Sequence, residues 1–312
     1  MALFYTLFRN SIRVALRFYF RKINVEGVEN IPKGTPLLIT ANHQNALIDP
    51  LLIGAFTPHP VHFLTRSDVF KWWISPMMKW VNMMPIYRIR DGYSKLSLND
   101  AVFETCKEVF KKNGSVLIFA EGNHGKEYYL RPLTKGAARL ALQSQEVLND
   151  QFCILPVGLN YFKHREPRST VIIKYGRPIS VADHMNLYQE NRTAGLIEMR
   201  DNIAVGMRET LVIPEETEDY HNRKELIFQS KNQDLSFQAL QEINVETETL
   251  EDQKPSSHFI AKMLNPLPYL IIHRVLSRVE DVVFHSTLKF GIGLFVFPIW
   301  WVIVFSIIWT TI

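Results

Sequence analysis

The chain has 312 residues, 47% of them hydrophobic and 21% charged, with a formal net charge of +4 and a pI near 8.9. So small and dispersed an excess of positive charge excludes nucleic acid as the expected partner. Two cysteines, Cys106 and Cys153, lie in apolar surroundings without CxxC spacing, so neither a disulfide framework nor a zinc knuckle is expected.

Arg9, Arg13, Arg17 and Arg21 recur every four residues among Leu3, Leu7, Ile12, Leu16, Tyr19 and Ile23. This is the pattern of a basic amphipathic helix over residues 1–23, suited to an anionic phospholipid surface. It also fits a helix packed on a globular domain with its arginines exposed. The segment lacks the apolar core and small-residue cleavage site of a secretory signal.

Short apolar runs at Pro36–Thr40, Val61–Thr65, Met83–Tyr87, Ser115–Ala120, Cys153–Leu159 and Thr170–Tyr175 predict strands. Helical-length segments at Tyr93–Lys112, Leu133–Leu148 and His184–Thr210 separate or follow them. The expectation is an α/β domain over residues 24–214, a largely buried mixed sheet flanked by helices. Residues 215–257 are acidic and read as a polar connector with one or two surface helices.

Residues 258–312 read as a membrane-associated region. Leu264–Leu276, broken by Pro266, Pro268 and His273, suits an interfacial or packed helix. Phe290–Ile312 carries no charged side chain and at 1.5 Å per residue is long enough to cross a hydrocarbon core of roughly 30 Å. A transmembrane helix is expected over 290–312, although Gly291, Gly293 and Pro298 would also suit a re-entrant segment.

The chemistry-bearing residues collect where predicted strands end. In TANHQNALIDP, His43 follows a strand, and Asp49 before Pro50 reads as a helix cap with the proline in the first position. A neutral histidine can take a proton from a hydroxyl, and a carboxylate at its other ring nitrogen fixes the tautomer and stabilises the imidazolium. A purely local capping role suits the same residues. In IFAEGNHG, Glu121, Gly122, Asn123 and His124 follow another strand; Glu121 can bind a polyol or anchor a basic side chain, and the glycines serve a tight turn.

In MPIYRIRDG, Arg88 and Arg90 can hold phosphate through paired charged hydrogen bonds, with Arg88 preferred. Arg131 and Lys135 in LRPLTKG can add a phosphate contact or simply lie on the surface. Trp72, Trp73, Met77, Met78 and Trp80 suit a hydrophobic helix or an acyl-chain wall, and His164 and Arg165 a polar turn.

Four ordered blocks, NHQNALID, NMMPIYR, EGNHG and ILPVGLNY, make the chain resemble the glycerolipid acyltransferase family typified by lysophosphatidate acyltransferase. The resemblance covers Pro36 to about Leu159. It implies His43 as general base, Asp49 as its orienting partner, Arg88 as a phosphate ligand, and Glu121 and Gly122 as part of the acceptor site, with Pro156 a structural contributor to the pocket. It implies no cofactor and no metal. The co-substrate would be an acyl-CoA or acyl carrier protein thioester, the acceptor a lysophospholipid, most specifically 1-acylglycerol-3-phosphate, and the setting a membrane of phospholipids with the active site facing the cytoplasm.

Three departures stand out. Five residues separate His43 from Asp49 where the family has four, which turns the pair by about 100° on a regular helix and requires an extra bend before it. The glycine that opens the arginine block is replaced by Met83 or Met84. Asn123-His124 replaces Thr-Arg, so phosphate affinity falls to Arg88, Lys126, Arg131 or Lys135, or the acceptor lacks that phosphate. Glycerol-3-phosphate, another lysophospholipid or an acyl-amino-acid lipid are alternative acceptors. From other classes, a hydrolase holding a metal through His43, Asp49, Glu121 and His124 and a noncatalytic membrane lipid-binding protein are the competing readings.

Overall fold

The computed structural model describes residues 2–70, 72, 75–87, 98–148, 152–243 and 258–311. Helix α1 (Ala2–Tyr19) and strand β1 (Lys22–Glu26) lead into β2 (Leu37–Ala41), α2 (Ile48–Phe56), β3 (Val61–Arg66), α3 (Ser75–Trp80), β4 (Met83–Ile86) and α4 (Leu98–Phe110). Then come β5 (Ser115–Phe119), α5 (Gly136–Gln145), β6 (Cys153–Tyr161), β7 (Thr170–Tyr175), β8 (Ile179–Ser180), α6 (Met185–Glu190) and α7 (Arg192–Arg208). Helices α8 (Tyr220–Ile227), α9 (Phe237–Gln241), α10 (His258–Leu264), α11 (Pro266–Leu276) and α12 (Phe284–Thr311) follow.

The strands form one mixed sheet in the order β1-β7-β6-β2-β5-β3-β4, with β8 beside β6. The centre is parallel: Leu37 faces Ser115 of β5 and Cys153 of β6, and Ala41 faces Phe119 and Val157. All five residues of β2 are buried, as expected of a strand covered on both faces. The matched register ends β2 and β5 side by side, so the loops after Ala41 and Phe119 share one edge of the sheet.

Leu16, Phe20, Leu52, Phe63 and Tyr161 pack one face of the sheet beneath α1 and α2, and Phe103, Phe110, Leu140, Met199 and Met207 fill the other beneath α4, α5 and α7. Each such side chain contributes roughly 1.5–3 kcal/mol by leaving water.

All six strands expected from the sequence form, but three boundaries differ. The basic helix stops at Tyr19, and Lys22 and Ile23 enter β1 at the sheet edge; Arg21 pairs with Asp234 at 2.7 Å instead of joining a lipid-facing stripe. The long helix foreseen over His184–Thr210 breaks at Asn191, whose side chain caps α7 by accepting from Thr193 and Ala194 N–H at 3.1 Å. Residues 220–241 are also more than a solvated connector: Tyr220, Ile227, Phe228, Phe237 and Leu240 are buried against Phe162 and Ile172. Residues 244–257 lie outside the described segments.

The orientation of α1 reverses the expectation drawn from its charges. Arg13 donates to the carbonyl of Ala55 at 2.9 Å and Arg9 to that of Pro58 at 3.2 Å, so two arginines satisfy carbonyls at and beyond the C-terminus of α2. Phe4, Leu7, Val14 and Phe18 are exposed on its outer side, together with Thr6, Asn10, Ser11 and Arg17.

Helix α12 spans Phe284–Thr311 without interruption at Pro298. Over residues 284–310 it is long and apolar enough to cross a membrane; Ser286 and Phe290 near its start are buried against the domain, and Phe295, Val302, Phe305 and Trp309 further along are exposed. It starts six residues before the predicted span. Tyr269 of α11 contacts Phe297 edge-to-face, and Trp300 Nε1 donates to the Leu264 carbonyl at 3.0 Å.

Candidate active site

As β2 ends, Asn42 ties the emerging loop to β6: its Nδ2 donates to Leu159 O at 3.0 Å and its Oδ1 accepts from Leu159 N at 2.8 Å. His43 follows. The fifth intervening residue is absorbed by a left-handed turn at Ala46, where φ is 33°, and α2 begins at Ile48. Asp49 therefore sits inside the first turn, not at the cap position read from the sequence. Its carboxylate reaches backward, because Pro50 after it offers no N–H and the loop N–H groups of Gln44 and Asn45 need an acceptor.

Asp49 Oδ2 accepts from His43 Nδ1 at 2.8 Å and from Gln44 and Asn45 N–H at 2.7 Å each, and Oδ1 accepts from Tyr161 Oη at 2.5 Å. The carboxylate is completely buried, and these donors replace the water it has lost. With its Nδ1–H given to Asp49, the imidazole presents a lone pair at Nε2, which has no hydrogen-bond partner among the described residues. Phe119 stacks on the ring at 3.9 Å between centroids and 10° between planes, fixing its orientation.

After β5, Glu121 is held by two neighbours. Oε2 accepts from the His43 N–H at 2.9 Å and from Arg131 Nη2 at 2.7 Å, while Oε1 accepts from the Arg131 N–H at 3.1 Å. Burial pushes the Glu121 carboxyl above its ordinary pKa, and Arg131 opposes that shift. Arg131 also donates to the side chain of Asn123 at 2.6 Å and to its carbonyl at 2.5 Å. Gly122 makes the turn at φ +77°, with Thr134 close to where a Cβ would lie.

His124 meets His43 edge-to-face at 5.8 Å, and burial holds its pKa below the ordinary value. Its ring contacts Phe284 at 5.6 Å, and its Nε2 lies 3.5 Å from Asp281.

The structure thus gathers His43, Asp49, Glu121, Gly122, Asn123, His124 and Arg131. Lys135 is exposed just ahead of α5, and no described contact joins its side chain to the cluster. Arg88, Arg90, Trp73 and Ile74 lie outside the described residues. Pro156 packs against Gly206 of α7. Among the described residues, no group of three or more His, Cys, Asp or Glu side chains is arranged to hold a metal ion, so the hydrolase reading gains no support.

Sequence reasoning assigned no role to Tyr161 or Asn42 and placed His164 in a polar turn. His164 is buried, its Nδ1 2.9 Å from Tyr128 Oη, and its carbonyl accepts from Asn45 Nδ2. The available signal was position: Tyr161 closes a largely apolar, buried strand, leaving its hydroxyl in need of a buried partner.

Residues 22–160 match the family model described as acyltransferase. The chain is 30% identical over 130 residues to the chloroplastic 1-acyl-sn-glycerol-3-phosphate acyltransferase of Arabidopsis thaliana, covering 40% of this chain and 34% of that protein. It is 27% identical over 157 residues to the 1-acyl-sn-glycerol-3-phosphate acyltransferase of Borreliella burgdorferi, covering 50% of this chain and 58% of that one. The matches therefore span less than two thirds of either relative. The crystal structure of the 1-acyl-sn-glycerophosphate acyltransferase of Thermotoga maritima overlaps 62% of this chain and 78% of its own, with a TM-score of 0.43 and 19% identity.

Proposed function

We propose that the protein transfers a fatty acyl group from an acyl-CoA or acyl carrier protein thioester to a free hydroxyl of a lysophospholipid, with 1-acylglycerol-3-phosphate as the acceptor. The observation that carries this reading is the 2.8 Å bond from His43 Nδ1 to buried Asp49, which leaves Nε2 as a base. His43 Nε2 takes the hydroxyl proton as the oxygen attacks the thioester carbonyl, and Asp49 stabilises the imidazolium. The tetrahedral intermediate then expels the thiolate, which recovers the proton from His43. No acyl-enzyme is needed, and burial drives the Cys106 thiol up to about 12, far from a nucleophile's range.

The two relatives named for 1-acyl-sn-glycerol-3-phosphate support this acceptor. Glu121 and Gly122 shape the acceptor side, and Glu121 acts by holding Arg131 and the His43 backbone. Arg88 is the proposed phosphate ligand on the strength of the family resemblance. Helix α12 as an anchor and the exposed apolar side chains of α1 as an interfacial surface bring the domain to lipid, with the active site on the cytoplasmic side where acyl thioesters are supplied.

The test is transfer by the purified full chain in liposomes, with lysophosphatidate, glycerol-3-phosphate and other lysophospholipids offered separately to labelled acyl-CoA and acyl carrier protein. Acylated lysophosphatidate from wild type and none from His43→Ala is the expected result. Transfer only to another acceptor would reassign the substrate, and no transfer by folded wild type would reject the reading in favour of lipid binding alone.

A further inference from the structure

We propose that the start of α12 and the residues before it belong to the active site, and that Asp281 and Phe284 are positioning residues that tune acceptor recognition through His124. The proposal rests on the acyl-transfer reading and adds residues outside the 22–160 domain match.

Three separate contacts join this segment to the catalytic loops. His124 stands between His43 at 5.8 Å and Phe284 at 5.6 Å, with Asp281 3.5 Å from its Nε2. The Leu47 N–H, in the loop between His43 and Asp49, donates to Thr287 Oγ1 at 3.2 Å. Ser286 Oγ donates to the His164 carbonyl at 2.9 Å, the same oxygen that accepts from Asn45 Nδ2 at 2.5 Å. Ser286 is fully buried. An anchor that only retained the domain at lipid would leave these polar side chains hydrated. Here Thr287 partners the loop between His43 and Asp49, Ser286 the His164 carbonyl that Asn45 of that loop also contacts, and Asp281 the His124 ring after β5.

The geometry also fixes what His124 can recognise. Asp281 favours the tautomer with its proton on Nε2, which leaves Nδ1 as an acceptor without a hydrogen-bond partner among the described residues. A neutral imidazole in that state accepts from a hydroxyl and has no charge to offer a phosphate. The block that carries an arginine elsewhere in the family is therefore set here to read an acceptor hydroxyl beside His43.

The experiment compares wild type, Asp281→Ala, Asp281→Glu, Phe284→Ala and the lipid-side control Leu294→Ala as full chains in liposomes. Asp281→Ala and Phe284→Ala are expected to raise the acceptor KM about tenfold and change the donor KM by less than about twofold, with Asp281→Glu recovering most of the loss and Leu294→Ala neutral. Equal rises in both KM values, a fall in kcat alone, or wild-type constants would overturn the proposal. The same proteins in nanodiscs with labelled histidine give a readout that needs no turnover. Asp281→Ala should move the His124 and His43 resonances and leave that of exposed His221 in place. If wild type transfers no acyl group, the acyl-transfer reading fails by that result, while unmoved His124 and His43 resonances reject the positioning role on their own.

Discussion

Tyr161 Oη donates to Asp49 Oδ1 at 2.5 Å while His43 holds Oδ2, so a tyrosine at the end of β6 completes the shell around the carboxylate beneath His43. Tyr161 is fully buried, and burial raises its phenol well above the ordinary pKa, which keeps it a donor at every working pH. Asp49→Asn should lower kcat by roughly three to four orders of magnitude, because an amide facing Nδ1 no longer dictates the tautomer. Tyr161→Phe should cost about 1–3 kcal/mol in urea unfolding by stranding one carboxylate oxygen, with a smaller loss of kcat than Asp49→Asn. Single-turnover rates and unfolding midpoints on the same preparations separate the two effects.

Glu121 and Arg131 form a 2.7 Å ion pair with side-chain exposures of 2% and 18%. Arg131→Met leaves a buried carboxylate without its counter-charge and should destabilise by about 3–5 kcal/mol, whereas adding Glu121→Gln should restore part of that loss. A double-mutant cycle in urea measures the coupling. Additive losses would mean that the pair does not act as a unit.

Burial lowers the His164 pKa from 6.5 to about 4. The unfolded chain therefore binds a proton that the folded chain refuses between these values, so this stability is complete above pH 6.5 and is lost as pH falls towards 4. The loss should be on the order of 2–3 kcal/mol. His59, His62 and His124 are shifted in the same direction by burial, so the readout is a difference: His164→Gln should show a shallower fall in unfolding midpoint across that window than wild type. Parallel curves would contradict it.

Ala46 adopts φ 33°, a conformation that a Cβ disfavours. Ala46→Gly should stabilise by about 0.5–1 kcal/mol and leave acyl transfer unchanged, while Ala46→Val should lose about 1–2 kcal/mol. Thermal midpoints and initial rates check both.

The parallel centre of the sheet was readable because β2, β5 and β6 are nearly unbroken apolar runs bounded by polar turns. Strand β1 (KINVE) alternates polar and apolar residues as suits an edge, but over only five residues, the first two of which continue the pattern of the basic helix expected over 1–23; two-residue β8 carries no periodic signal. At the site, residue types and order were legible, and the extra bend demanded by the His43–Asp49 spacing is the turn at Ala46. Partners were not legible. Glu121 needed a cation, but nothing in the spacing selected Arg131 over Lys126 or Lys135. The arginines of α1 show the same limit: periodicity located their stripe, and the carbonyls at the end of α2 decided which way it faced. The docking of α12 depends on Asp281, Phe284, Ser286 and Thr287, side chains that carry no motif.

With α12 as the proposed membrane anchor, the Leu47–Thr287 bond, which ties the His43–Asp49 loop to the first turn of that helix, would fix the height of His43 Nε2 relative to the bilayer plane. An enzyme held in that way samples its acceptor by lateral diffusion in two dimensions. Its velocity would follow the mole fraction of lysolipid in the surface, so diluting the acceptor with inert phospholipid at constant bulk concentration would slow it, whereas diluting the whole suspension would not.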